Sequence, residues 1–219
     1  EDILSFSVFN CYNFNFSKIT QFKEFYKVFV ELSATPHIQT WGFHNSLDVI
    51  IHQTYLHDNK LAFTCLKEIQ KQNNKTGYTP AKIFEAAIEG NAETTETYFD
   101  LIIGEEYNWK HNWVLSFLYF LKPNTVKTIH VNTLLSVYRS TETFLFFNFE
   151  LLEKFQPAKK NIFTEVLTIA VEKLEQKQNI RLDHDFFEKY LHHFSDDLSL
   201  PKKAYLLSER QDDHFDHDC

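Results

Sequence analysis

All five prolines of this 219-residue chain, at positions 36, 80, 123, 157 and 201, fall where an apolar 3.6-residue pattern starts or stops. A proline inside a helix removes a hydrogen bond and clashes with the preceding turn, so this placement leaves the intervening segments free to be helical. The four glycines, at 42, 77, 90 and 104, are isolated. A chain so short of turn-forming residues is poorly equipped for many short strands and tight hairpins. With 43% hydrophobic residues it can still build a real core.

The apolar stripes place the helices. After the Asn-interrupted start, Ser17 is positioned to cap a helix whose buried face runs Ile19, Phe22, Phe25, Tyr26, Phe29 and Val30, with Pro36 beyond its end. "NSLDVIIHQTYL" from Asn45 and "NKLAFTCLKEIQKQ" from Asn59 read as a helical hairpin. "TPAKIFEAAIEGN" predicts a helix with Thr79 as N-cap, Pro80 at the first helical position and Gly90 as a left-handed stop. Further helices are expected in "YFDLIIG", "NWVLSFLYFLKP", "TVKTIHVNTLLSVYRS", "FLFFNFELLEKFQP", "AKKNIFTEVLTIAVEKLEQKQ", "DHDFFEKYLHHFS" and "LPKKAYLLSERQ". In the third from last, Phe163, Leu167, Ala170 and Leu174 form one apolar face with charges opposite. The nearest thing to a strand is "KTIHVNTLLSVY".

The expected fold is therefore all-α, with about ten to twelve helices as stacked antiparallel hairpins, either α-solenoid-like or an irregular array. Spacings of 34–44 residues between prolines approach the period of two-helix repeats, although the prolines start some helices and end others. One helical domain over 1–219 is the primary reading, with a subdivision into 1–76 and 77–219 as the alternative. "LEKFQPAKKNIFTEVLTIAVEKLE" and its neighbours resemble HEAT- and armadillo-like helical-repeat proteins, and more loosely the helical regions attached to bacterial signalling NTPases of the defence type. The resemblance spans roughly 58–208 and is one of texture. It implies a recognition surface and carries no functional residues across.

Charge narrows the partners. The net charge is −8, and residues 180–219 hold 10 acidic against 5 basic side chains, so that end repels a phosphate backbone. Lys67, Lys71 and Lys75, four residues apart, read as a solvated helix face in preference to a nucleic-acid contact. The 23 phenylalanines fall at helical spacing and read as core before they read as an aromatic-lined ligand groove. Cys11, Cys65 and Cys219 form no CxxC and no disulfide framework, which points to a reducing compartment. No basic-then-apolar leader opens the chain and no apolar run approaches a membrane span, so a soluble, cytoplasmic protein is expected. A chain that opens on Glu1 and holds no methionine reads as a piece of a longer polypeptide, or as one whose methionines are missing from the written sequence.

No phosphate-cradling GxxxxGK[ST] or GxGxxG and no GxSxG elbow occurs, and nothing calls for a cofactor. Cys65 reads as a buried structural thiol. The C-terminal segment is richer in possible ligands: His184, His192, His193, His214 and His217 are interleaved with acids, and imidazole with carboxylate can bind zinc, manganese or iron. The His-Asp pairs at 57–58, 184–185 and 217–218 resemble those of the metal-dependent HD phosphohydrolases, another all-helical family. That resemblance implies a metal-bound water attacking a phosphoester, with His184 and Asp185 as the matching pair, joined by His214 and His217 as the remaining candidate ligands. Phe186 and Phe187 stand where that family carries small and basic residues. The competing reading is a charged outer face over helices whose aromatic residues turn inward.

"YNWKHNW" places Tyr107, Trp109 and Trp113 together, the last two sharing a helix face. Tyrosine and tryptophan are enriched at binding hot spots, and the alternative is that they pack against the preceding helix. The function expected from the sequence is a protein-interaction or sensing scaffold with a protein partner. A C-terminal metal-dependent hydrolase is its rival.

Overall fold

The computed structural model describes residues 15–34, 40–71, 78–104, 110–140, 149–176, 184–194 and 197–215, with 178, 180 and 182 between them. Within these, only the backbone is described for 40–44, 110–111, 184–186, 190 and 210–215. The fold is all-α. Eleven α-helices and no strand occur among the described residues. Contacts divide the chain into two compact units, 1–120 and 121–219. The break considered from sequence at 76/77 is crossed by helix packing within the first unit.

That unit holds α1 (Ile19–Ser33), α2 (Thr40–His57), α3 (Asn59–Lys71), α4 (Ala81–Gly90), α5 (Ala92–Ile103) and α6 (Lys110–Phe120). Single residues, Asp58 and Asn91, separate α2 from α3 and α4 from α5. Each helix packs on a sequence neighbour, while α2 also packs on α4, α4 on α6, and α1 on α3. The result is two alternating layers, α2–α4–α6 and α1–α3–α5, with apolar stripes turned toward each other. Phe22, Ile51, Leu66, Phe84 and Phe117 are fully buried between them.

Helix ends show what local sequence controls. Asp58 Oδ1 accepts from the backbone N–H groups of Lys60 and Leu61, both at 3.0 Å, and so starts α3. Asn91, extended at φ −163°, ends α4 and caps α5 by accepting the Thr94 N–H at 2.7 Å. The left-handed stop expected at Gly90 is absent: Gly90 is the last residue of α4 and does not enter the positive-φ region, because the reversal occurs at Asn91. The Thr79 N-cap is also displaced. The cap position falls to Pro80, with no local side-chain cap, and the Lys82 N–H is taken by Asp48 of α2 at 3.3 Å.

The second unit holds α7 (Thr128–Ser140), α8 (Phe149–Phe155), α9 (Ile162–Glu175), α10 (His184–Leu191) and α11 (Ser199–Phe215), preceded by a 3-10 turn at Pro123–Thr125. Its centre is α9, which packs on α7, α8 and α11. The sequence predicts one apolar face for this helix. The structure buries nine of its residues, Ile162, Val166, Ile169 and Lys173 among them, as a helix enclosed by neighbours requires. The buried Lys173 ammonium donates to Gln178 Oε1 at 3.0 Å. The strand alternative around 127–138 is helical: His130 reaches back from α7 to accept the Lys127 N–H through Nδ1 at 3.0 Å.

Candidate functional site

The first unit carries a groove between α3 and α5, built by side chains that hold the helices apart. α1 packs directly on α3, joined by the Lys23–Glu68 ion pair at 3.4 Å. Between α3 and α5 the contacts are long-armed. Tyr98 donates its hydroxyl to the Asn59 carbonyl at 3.2 Å, and Gln70 donates through Nε2 to the Leu101 carbonyl at 2.8 Å. The Tyr98 ring is 5.5 Å from Phe63 and 6.0 Å from Tyr55, edge-on to both, which wedges it beneath the gap. Burial raises the Tyr98 hydroxyl pKa well above the ordinary tyrosine value, so it stays a donor.

Two cavities follow this gap and share Phe63. One, of about 430 Å³, is lined by Asn59, Lys60, Phe63, Thr64 and, from the α5 side, Asn91, Glu93, Thr94, Thr97 and Tyr98. The other, of about 310 Å³, continues it with Phe63, Lys67, Gln70, Lys71, Asp100, Leu101 and Gly104. Each volume lies in the range of ligand-binding clefts, while the lining is mostly polar and charged, with Phe63, Tyr98 and Leu101 as its apolar part. A side chain at position 104 would bring its Cβ to 2.7 Å from the Asp100 carbonyl, so the close approach at the end of α5 requires glycine.

The walls carry opposite charge. Lys60, Lys67 and Lys71 stand on α3, and Glu93 and Asp100 on α5. None of these five has an ion-pair partner within 4 Å among the described residues. Lys67 lies 5.5 Å from the centre of the Phe63 ring, a cation–π distance. Lys67 and Lys71 of the lysine face read from the sequence thus stand on one bank of a cleft, and Lys75 lies outside the described residues.

A second group of titratable residues lies where α2 meets the start of α4. Asp48 is 8% exposed and accepts from the Tyr78 hydroxyl at 3.5 Å as well as from the Lys82 N–H. Burial pushes its carboxyl pKa up to about 6, against the lowering effect of those donors and of the Lys82 charge. One turn on, burial and the Lys82 charge lower the pKa of His52. Both oxygens of Asp48 are engaged in holding α4 on α2, and neither cavity of the groove reaches them.

Of the aromatic trio, Tyr107 and Trp109 lie outside the described residues. Trp113 is 5% exposed, donates its indole N–H to the Tyr78 carbonyl at 2.7 Å and meets Tyr78 and Phe84 edge-on. It is buried in packing against Tyr78 and α4, and its ring contacts are with these and not with α5, the helix that precedes it. Of the metal candidates, the side chains of His184, Asp185 and His214, and all of His217, lie outside the described residues. No three His, Cys, Asp or Glu side chains among the described residues could hold a metal ion. His193 stacks on Phe163 with ring centroids 3.8 Å apart. Cys65 is fully buried and its thiol pKa is pushed up to about 12 by burial, with Asp58 and Glu68 adding to the effect. No described helix is long and apolar enough to cross a membrane.

The sequence reading passed over Phe63, Lys60, Glu93 and Asp100. A signal was available in Phe63, which stands four positions before Lys67 and so shares the helix face of the lysine stripe.

No protein-family model, curated protein or solved structure matches this chain.

Proposed function

We propose that the protein is an interaction module that binds a protein partner through the α3–α5 groove. The observation that carries this reading is the groove itself: two cavities that share Phe63, walled by charged side chains with no ion-pair partner within 4 Å among the described residues. Exposed charges facing a cleft cost little to keep in water and gain when a partner brings complementary charge and excludes solvent. The alternating layers of the first unit support the helical-repeat resemblance, because such stacking presents the surface helices of successive pairs side by side.

The test is selection of a displayed heptapeptide library against the full chain, followed by binding of the enriched peptides to the variant Phe63→Asp. Phe63 is half-buried at the groove surface, so the variant is expected to keep its helical circular dichroism. Enriched peptides should lose at least tenfold in affinity for it. Peptides that bind wild type and a folded Phe63→Asp protein equally would contradict the groove as the binding surface. Stoichiometric transition metal in untagged protein, lost on His184→Ala, would instead favour the hydrolase reading.

A further inference from the structure

The groove's dimensions and charge layout specify its occupant more narrowly, on the premise that it is the binding surface. From Lys60 to Lys71 the wall of α3 is about 16 Å long at 1.5 Å per residue. An extended stretch of the same length is about five residues, and at strand spacings it fills on the order of 800 Å³. Cavities of about 430 and 310 Å³ lie along this length and share Phe63, so an extended stretch of about five residues spans both.

An extended segment sends successive side chains to opposite sides, so residues 1, 3 and 5 meet one wall and residues 2 and 4 the other. Same-side residues are about 6.6 Å apart. If the first meets Lys60, the third falls beside Phe63 and Thr64, and the fifth between Lys67 and Lys71. The second and fourth face the wall that carries Glu93 and Asp100. Complementary chemistry is therefore acidic at the ends, apolar at the centre and basic in between. We infer that the groove takes an extended peptide segment of about five residues in the order acid, base, apolar, base, acid, lying between the lysine wall of α3 and the acidic wall of α5.

Two fluorescently labelled peptides of identical composition test the order: Gly-Glu-Lys-Leu-Lys-Glu-Gly and Gly-Glu-Glu-Leu-Lys-Lys-Gly, titrated into the full chain at low ionic strength. In the second peptide one acid faces Glu93 and one base faces Lys67 and Lys71, so half of the charged contacts become repulsive. The alternating peptide should bind at least tenfold tighter, and Lys67→Glu should narrow that advantage, since it acts on the fifth position alone. Raising salt should narrow it as well, because charges in an open cleft are screened over about 8 Å at physiological ionic strength. Equal affinity of the two peptides, with both lost on Phe63→Asp, would overturn the charge order and leave the groove as the binding surface. Absence of binding by either peptide, while library peptides still depend on Phe63, would overturn it too. If nothing depends on Phe63, the interaction reading falls with it.

Discussion

At the scale of single residues, Asp48 has the clearest measurable consequence. Its folded pKa of about 6 lies above the unfolded value of about 3.9. The folded state therefore holds this proton more tightly than the unfolded state. The associated stability is complete below the unfolded pKa and is lost as pH rises through about 6, to an extent on the order of 2–3 kcal/mol at neutral pH. Asp48→Asn keeps an acceptor for Lys82 and removes the charge, and the Tyr78 hydroxyl can turn to accept from the new amide. The variant should match wild type in thermal unfolding at pH 4 and exceed it at pH 8. A variant less stable than wild type at pH 8 would show that the carboxylate is favoured there, contrary to the burial argument. Residues of this kind resist reading from sequence. Asp48 and Lys82 are 34 positions apart, so no local pattern announces that one caps the other's helix. Trp113 was legible as a large aromatic on a helix, but only its placement beside Tyr78 and Phe84 assigns it to packing.

At the scale of helices, periodicity carried most of the information. Stretches beginning at Asn59 and ending at Gly104 match α3 and the end of α5, because capping residues and apolar stripes act within a few positions of one another. Where a helix end is set by another helix, local reading misplaced it, as at Thr79. It also underestimated α9, whose enclosure depends on which helices surround it rather than on its own alternation. Asn91 is the element-scale counterpart of Asp48, since one side chain both follows α4 and starts α5. Asn91→Ala removes the 2.7 Å bond to the Thr94 N–H and should lower stability by about 1 kcal/mol, read from denaturant midpoints at unchanged m-value. Asn91→Gly should cost only a few tenths of a kcal/mol. Equal losses for the two would mean that the extended backbone at 91, rather than the cap, is what matters.

At the scale of the whole chain, the all-helical class and the number of helices follow from proline placement and apolar spacing, whereas the groove does not. It exists because Tyr98 and Gln70 bridge α3 and α5 at arm's length, while α1 and α3 pack closely, and this contrast depends on tertiary contacts alone. The same contacts turn a lysine stripe that looks like an ordinary solvated face into one wall of a charged cleft. Where a partner sits is therefore the deciding question. Hydrogen exchange of the full chain, with and without a saturating library-selected peptide, locates it most directly. Added protection is expected over Asn59–Lys71 and Ala92–Gly104, with little change over α7–α11. Protection confined to α7–α11, with those two helices unaffected, would contradict the groove as the binding surface.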